Sequence, residues 1–376
     1  MATGTRKKLE AAALELFSKN YYDVVSVAQI CRSAGVSNGV FYRYYLSKEE
    51  IFHELLEDFL RTFGEELLAV RGNSVSERLL HFVEIVAGAA HRYAGQVTMF
   101  REGQYRHPMY ERQLRDLYMQ SVERVLKRTV NEAEYLFLLS GLRFLSTRSR
   151  YDHLPMKNEV LLTILSKGVL NEPRTVQLER EPRAGDIVDP APQDSGEALV
   201  DAGINLFGRH GYFAVQVADV VREAGLSVGT FYKWFDSKEE FLSEVVHQIG
   251  RRARRYLSTH APYQGSRLDR EVLGMWNFLG YFGHHREYYS IVREAEFVVP
   301  MAVKEYYDAF QRGYQHSLNT YPVQHRAVVA NFLMGLSHYL GIEVLFSSRV
   351  SDVRGLVTHL GTLLQHGIAF DQGGTT

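Results

Sequence analysis

Cysteine is all but missing: Cys31 is the single one in 376 residues. No internal disulfide can form, so any fold must rest on its packed core, and a reducing compartment fits. Proline is scarce as well. Four of the nine prolines fall within residues 171–194, and Pro108 and Pro155 sit at breaks between helical patterns, where helices tolerate them. No apolar run reaches membrane-spanning length. The N-terminal stretch MATGTRKKLEAAALELF has a polar face and reads as a helix rather than a secretory signal. The expectation is a cytoplasmic chain with no membrane partner. Nor is there an excess of one charge: 43 basic and 44 acidic residues leave a formal net charge of −1. That excludes a chain basic all over but leaves room for a local positive surface. No G-x-S-x-G elbow, P-loop or dinucleotide fingerprint occurs, and no zinc-site spacing accompanies His284-His285. The expectation is no enzyme, no catalytic residue, no metal and no cofactor.

What is present is a stretch that occurs twice. Residues 26–52 recur at 216–242 without a gap, and 13 of the 27 positions are identical. Gapless identity of that density marks a duplicated unit. Farther on the copies diverge: Arg101-Glu102 matches Arg293-Glu294, Pro108-Met109 matches Pro300-Met301 and Asp116 matches Asp308 at an offset of 192. Leu139-Ser140-Gly141-Leu142 matches Leu333-Met334-Gly335-Leu336 at an offset of 194.

The repeated unit has a physical reading. Ser26 with Gln29 forms a capping box that starts a helix, with Val27, Ile30 and Cys31 as its apolar face. Gly35 supplies a left-handed C-terminal turn. Ser37 starts a second short helix with Phe41 and Tyr44 inward, so that two helices and a tight turn make a helix-turn-helix. Ser47 with Glu50 opens a third helix through Ile51, Phe52, Leu55, Leu56 and Phe59. Leu9, Ala12, Ala13, Leu16 and Phe17 form an amphipathic helix over the motif. The second copy has His210-Gly211-Tyr212 after its first helix; the first has Asn20-Tyr21-Tyr22, so Asn20 is expected to take the left-handed position.

This pattern closely resembles the DNA-binding domain of the tetracycline-repressor (TetR) family. The match is carried by Ala34-Gly35-Val36-Ser37, Gly39-Val40-Phe41-Tyr42-Arg43-Tyr44-Tyr45 and Ser47-Lys48-Glu49-Glu50. It returns in Ala224-Gly225-Leu226-Ser227, Gly229-Thr230-Phe231-Tyr232-Lys233-Trp234-Phe235 and Ser237-Lys238-Glu239-Glu240. The resemblance implies an all-α chain of two tandem halves, each a helix-turn-helix domain followed by a helical ligand-binding and dimerisation bundle. The expected boundaries are 1–60, 61–170, a linker over 171–194, 195–250 and 251–376. As a coil that linker would average roughly 25–30 Å end to end and could stretch to about 80 Å.

The N-terminal residues of the second helix of such a motif meet base edges in the major groove. The candidate DNA contacts are therefore Ser26, Ser37, Asn38, Gly39, Val40, Tyr42, Arg43, Tyr44 and Lys48 in the first copy. In the second they are Ser227, Val228, Gly229, Thr230, Tyr232, Lys233, Trp234 and Lys238. Tyr42 and Arg43 are expected at phosphates or flanking bases, and Lys48 at a phosphate. Phe41, Phe231, Tyr45 and Phe235 are expected in the core. The run Arg251-Arg252-Ala253-Arg254-Arg255 is expected to be a solvated helix end. Cys31 is expected to be packing rather than a nucleophile.

In the family the later helices hold an apolar effector pocket, and the aromatic content of residues 61–170 and 251–370 suits one. Phe100, Glu102, Tyr105, Trp276, Tyr288, Glu294 and Phe297 are candidate pocket residues, with Glu102 and Glu294 on aligned helices. The implied function is a DNA-binding regulator, a repressor acting as an intrachain pseudo-dimer. Its implied partners are a double-stranded DNA operator and an apolar or aromatic small-molecule effector, with further self-association left open. The rivals are a helical ligand-binding or scaffold protein with degenerate reading helices, and an enzyme, which the missing motifs disfavour.

Overall fold

The periodic apolar stripes become helices throughout. A computed structural model of the chain describes residues 2–152, 157–178, 191–261, 265–347 and 349–368, and no strand occurs among them. The first half contains α1 (Ala2–Lys19), α2 (Val27–Ala34), α3 (Asn38–Phe41), α4 (Lys48–Leu68), α5 (Val75–Arg92), α6 (Ala94–Arg106), α7 (Pro108–Leu126), α8 (Glu132–Asp152) and α9 (Asn158–Lys167). The second repeats the order: α10 (Ser195–His210), α11 (Val217–Glu223), α12 (Val228–Trp234), α13 (Lys238–Thr259), α14 (Arg267–His284), α15 (Arg286–Val298), α16 (Pro300–Ser317), α17 (Val323–Leu345) and α18 (Val353–His366).

Helix starts are set by side chains. Ser47, Ser74, Ser237 and Ser266 accept the backbone N–H three residues on and cap α4, α5, α13 and α14. The caps Ser74 and Ser266 stand at the 192-residue offset, so the duplication reaches into the bundles. Pro108 and Pro300 open α7 and α16 at the first turn, where the missing N–H costs nothing. At the C-terminal end of α7 the turn falls to Lys127, the one non-glycine described with positive φ (55°). Asn20 does not take the left-handed conformation expected of it; a 3₁₀ turn at Tyr22–Val24 reverses the chain instead.

The chain forms two compact units. One contains residues 1–131 and 145–162; the other contains 132–144 and 163–369. The second unit thus includes pieces of both halves, and they pack tightly there. A Cβ on Gly335 of α17 would lie 2.5 Å from Phe144 Cβ and 2.9 Å from the Ser140 carbonyl, and one on Gly141 would overlap the Phe332 ring. Phe137 meets Phe332 edge-on at 5.7 Å. Val169 and Leu170 donate to the Leu364 carbonyl at 2.7 and 2.9 Å.

Helix α17 corrects one sequence-based expectation: by length and composition it could span a membrane, yet 78% of its most apolar window is buried in the protein. Continuous apolarity here serves a helix packed on all sides. The expected linker also departs from a free coil over residues 171–178. Thr175 and Val176 donate their N–H groups to Asp269 at 2.8 Å, and Arg174 donates to the Thr358 carbonyl at 2.6 Å. Burial would raise the Asp269 carboxyl, but the Val176, Thr175 and Ser266 donors outweigh it and hold the group down at about 2.

Candidate nucleic-acid interface

Each reading helix is placed by a buried ring at its base. Phe41 and Phe231 are fully buried, with Tyr45 and Phe235 beside them, as expected of core residues. Burying such a ring stabilises the small domain by about 2–3 kcal/mol. The intervening turns use Gly35 (φ 68°) and Gly225 (φ 67°), where a side chain would be strained.

With the rings turned in, the opposite face is left outside. Ser37, Asn38, Gly39, Tyr42 and Arg43 are exposed in the first head, and Ser227, Val228, Gly229, Tyr232 and Lys233 in the second. Tyr42 and Tyr232 are alike: 57% and 55% exposed, each edge-on to the buried phenylalanine at 5.4 and 5.3 Å. The same position on both heads thus offers an aromatic face and a hydroxyl to a partner. Arg43 and Lys233 make no ion pair among the described residues. They are cations available to phosphate.

Other expected contacts sit differently. Val40 and Tyr44 are half-buried. Ser26 is exposed but occupied as the capping box of α2. The Thr230 hydroxyl lies 2.9 Å from that of Ser227, which also caps α12. Ser37 makes no such cap bond. Trp234 donates its indole N–H to the Ser195 hydroxyl at 2.9 Å and lies against Gly196, so it ties α12 to α10.

Lys48 and Lys238 turn inward rather than out to phosphate. Lys48 donates to the Tyr22 and Val25 carbonyls at 2.8 and 2.7 Å. Lys238 donates to the Tyr212 carbonyl at 2.6 Å. Each ammonium lies 4.0 Å from the centre of that tyrosine's ring. A carbonyl and a π-face can replace much of the water lost by a half-buried ammonium. The carbonyls of the segment after the first helix point toward this site, and a long flexible cation reaches them.

The same segment is held from its other side. Glu102 accepts the Tyr22 N–H at 2.8 Å, and its counterpart Glu294 accepts the Tyr212 N–H at 2.6 Å. These glutamates are expected from the sequence to line a pocket; they instead clamp the head to helices α6 and α15. Of the candidate pocket residues, Tyr288 alone lines the cavity described below. Phe100 and Trp276 are buried, and Phe297 is not among the lining residues. The Tyr105 side chain lies outside the described residues.

Burial raises the Glu102 carboxyl to about 7, against the pull of the Tyr22 N–H and Arg106. The folded state therefore holds this proton more tightly than the unfolded chain. Its contribution is complete below pH 4.5 and is lost as pH rises to about 7, a change of roughly 3 kcal/mol. Glu102→Gln, which keeps an acceptor but does not titrate, should gain that much on wild type across the window. Urea unfolding of both proteins at pH 5 and pH 8 measures it; parallel curves would refute the assignment.

The basic run also departs from its expected role. It stops short of the end of α13, which runs on to Thr259. Arg251 pairs with Glu244, Arg252 is largely covered and pairs with Asp201, and Arg254 faces a cavity. Cys31 is buried, which raises its thiol pKa and leaves it inert. Among the described residues, Glu49, His53 and His107 could hold a metal ion, their donor atoms lying within 4.8 Å of one another. The Glu49/His53 spacing of four on one helix was the available signal; His107 joins only through the fold.

A family model described as bacterial regulatory proteins of the tetR family matches residues 9–55 and again 199–245. The HTH-type transcriptional regulator YdgC of Bacillus subtilis is 40% identical over 88 residues, which is 22% of this chain and 45% of that protein. The HTH-type transcriptional regulator UidR of Escherichia coli is 29% identical over 136 residues, 34% of this chain and 65% of that one. The chain thus spans less than two thirds of either relative. Among solved structures, the fatty acid degradation regulator FadR of Bacillus halodurans aligns at 16% identity over 48% of this chain and 100% of that chain, with a TM-score of 0.40.

Proposed function

Because this chain belongs to the tetR family of bacterial regulatory proteins and carries that family's N-terminal domain twice, we propose that it is a cytoplasmic repressor that reads a pseudo-palindromic operator with both of its own heads and releases it on binding a small molecule. One observation carries the reading. Both reading helices keep an exposed tyrosine and an unpaired cation at the same two positions, Tyr42-Arg43 and Tyr232-Lys233, beyond what packing requires. The packing of residues 132–144 and 163–170 against α17 and α18 supports pairing of the halves within one chain.

The lever is the long helix at the base of each head. Helices α4 and α13 begin in the head and continue into the bundle, and the clamps Glu102–Tyr22 and Glu294–Tyr212 tie the same heads to α6 and α15. A molecule that shifts these helices shifts the reading helix. Operator and effector must then weaken each other's binding by the same factor.

A homodimer presents identical side chains to both half-sites. These heads are separate sequence and differ at the exposed pair Asn38 and Val228. Asn can pair bidentately with adenine, whereas Val meets only apolar groups such as a thymine methyl. Arg43 and Lys233 are likewise not equivalent at guanine or phosphate. The expected operator is an imperfect palindrome with half-sites about one helical turn or a multiple apart, ~34–36 Å per turn. Selection from a random DNA pool tests this, with affinity falling steeply as salt rises. Asn38→Ala should cost about 1–3 kcal/mol at one half-site and nothing at the other. A symmetric consensus would overturn the separate reading, and no salt-sensitive binding would overturn the regulator.

A further inference from the structure

The two bundles share an ancestor but not an interior. The second unit contains a cavity of about 390 Å³ walled by α13 to α17 together with Phe144. That is ample for a small organic molecule. Glycines help make the room. Gly274 and Gly313 line the cavity, and a Cβ on either would have no neighbour within 4 Å. At the 192-residue offset the first half has Phe82 and Ser121 in their place, both wholly buried. Tyr306 and Tyr314 line the cavity where the first half has the core residues Leu114 and Val122. Arg254 corresponds, at the 190-residue offset, to Gly64, and Leu117 closes over that glycine at 3.0 Å from an added Cβ. At these five positions the first half is packed where the second is hollow.

The charge in the cavity is also uneven. Arg267 is paired with Glu271 at 2.7 Å. Arg254 has no ion pair or hydrogen bond among the described residues. Its guanidinium is half-buried, 5.4 Å from the centre of the Phe310 ring; the Tyr306 phenol favours its charge, while Arg251 and Arg312 repel it. Burial correspondingly lowers its pKa. A cation held among rings without a counter-ion is costly, and an anion brought by a ligand removes the cost.

We infer that the chain takes one effector, in its second half alone, and that the effector is an aromatic or similarly flat apolar anion whose charge meets Arg254. This rests on the regulator reading only for its consequence, since Arg254 lies on α13, the helix that begins in the second head; binding itself is measured without DNA.

The test is calorimetric titration of the full chain with 2-naphthoate and with its neutral isostere 2-naphthamide. The expected result is one naphthoate per chain, bound at least about tenfold more tightly than the amide, as expected of a partly buried ion pair. Arg254→Met should bring naphthoate down to the level of the amide. Gly274→Phe, which restores the side chain of the first half into open space, should abolish both while leaving the melting temperature at or above that of wild type. Two equivalents per chain, binding that survives Gly274→Phe, equal affinity for acid and amide, or no binding of either at millimolar concentration would each overturn the inference. A shift assay without probe separates the two readings: a chain that binds naphthoate but no DNA loses the regulator and keeps the pocket, and the converse result does the reverse.

Discussion

A glutamate at Gly39 or at Gly229 is expected to lower operator affinity by about 10²–10⁴-fold, to a similar extent for either head, with no loss of fold. Both glycines lie in the first turn of a reading helix on its exposed face. A Cβ on Gly39 meets nothing nearer than the Ser37 hydroxyl at 4.0 Å, and one on Gly229 nothing nearer than the Ser227 hydroxyl at 3.7 Å. The protein therefore has room for the side chain, whereas a DNA groove does not, and the carboxylate adds repulsion from phosphate. On the proposed single-chain reading, two heads act as linked sites, so disabling one leaves a single weak contact. Substituting both should remove specific binding. Fluorescence anisotropy on a labelled operator at fixed salt measures the affinities, and circular dichroism checks the fold. If the heads instead paired between chains, like with like, either single substitution would leave one complete reading pair. An affinity within a few-fold of wild type would then end the single-chain reading.

What the sequence made legible was whatever is local. The capping box at Ser26, the left-handed glycine at 35 and 225, the helix starts at Ser47 and Ser237 and the buried Phe41 and Phe231 all follow from residue type at fixed spacing, and the structure has them. What depends on which way a helix faces was not legible. Glu102 and Glu294 were visible as aligned acids, but their turn toward the heads is decided by packing against α1 and α10. A helix N-terminus attracts phosphate, which points Lys48 and Lys238 outward; the carbonyls of the preceding turn take them instead. Arg254 lay hidden in a basic run whose members the fold separates into an exposed ion pair, a largely covered one and a cavity cation. The hollow in the second half needed both halves compared at the right offset, where Gly274 aligns with Phe82 and Gly313 with Ser121.

The largest structural effect is expected from the glycines at which parts of the two halves meet within the second unit. Gly335→Leu should destabilise that unit by about 3 kcal/mol, at the upper end of overpacking penalties, because its neighbours are partly backbone. A Cβ there already lies 2.9 Å from the Ser140 carbonyl and 3.1 Å from Gly141 Cα, so relief requires the helices to part. Gly141→Leu should act alike, against the Phe332 ring. Gly313→Ala is the control: it is also a helical glycine, but its Cβ meets nothing within 4 Å, so it should be neutral or gain up to about 1 kcal/mol from helix propensity. Hydrogen exchange should show faster opening of α17 and of residues 132–144 in the two leucine variants only. If this packing is what pairs the halves, the same variants should bind operator no better than a chain with one disabled head, although both heads remain folded. Operator affinity that stays at the wild-type level while α17 exchanges quickly would place the pairing elsewhere. Affinity that falls together with exchange protection identifies the close crossing at Gly141 and Gly335 as the joint that lets one chain do the work of two.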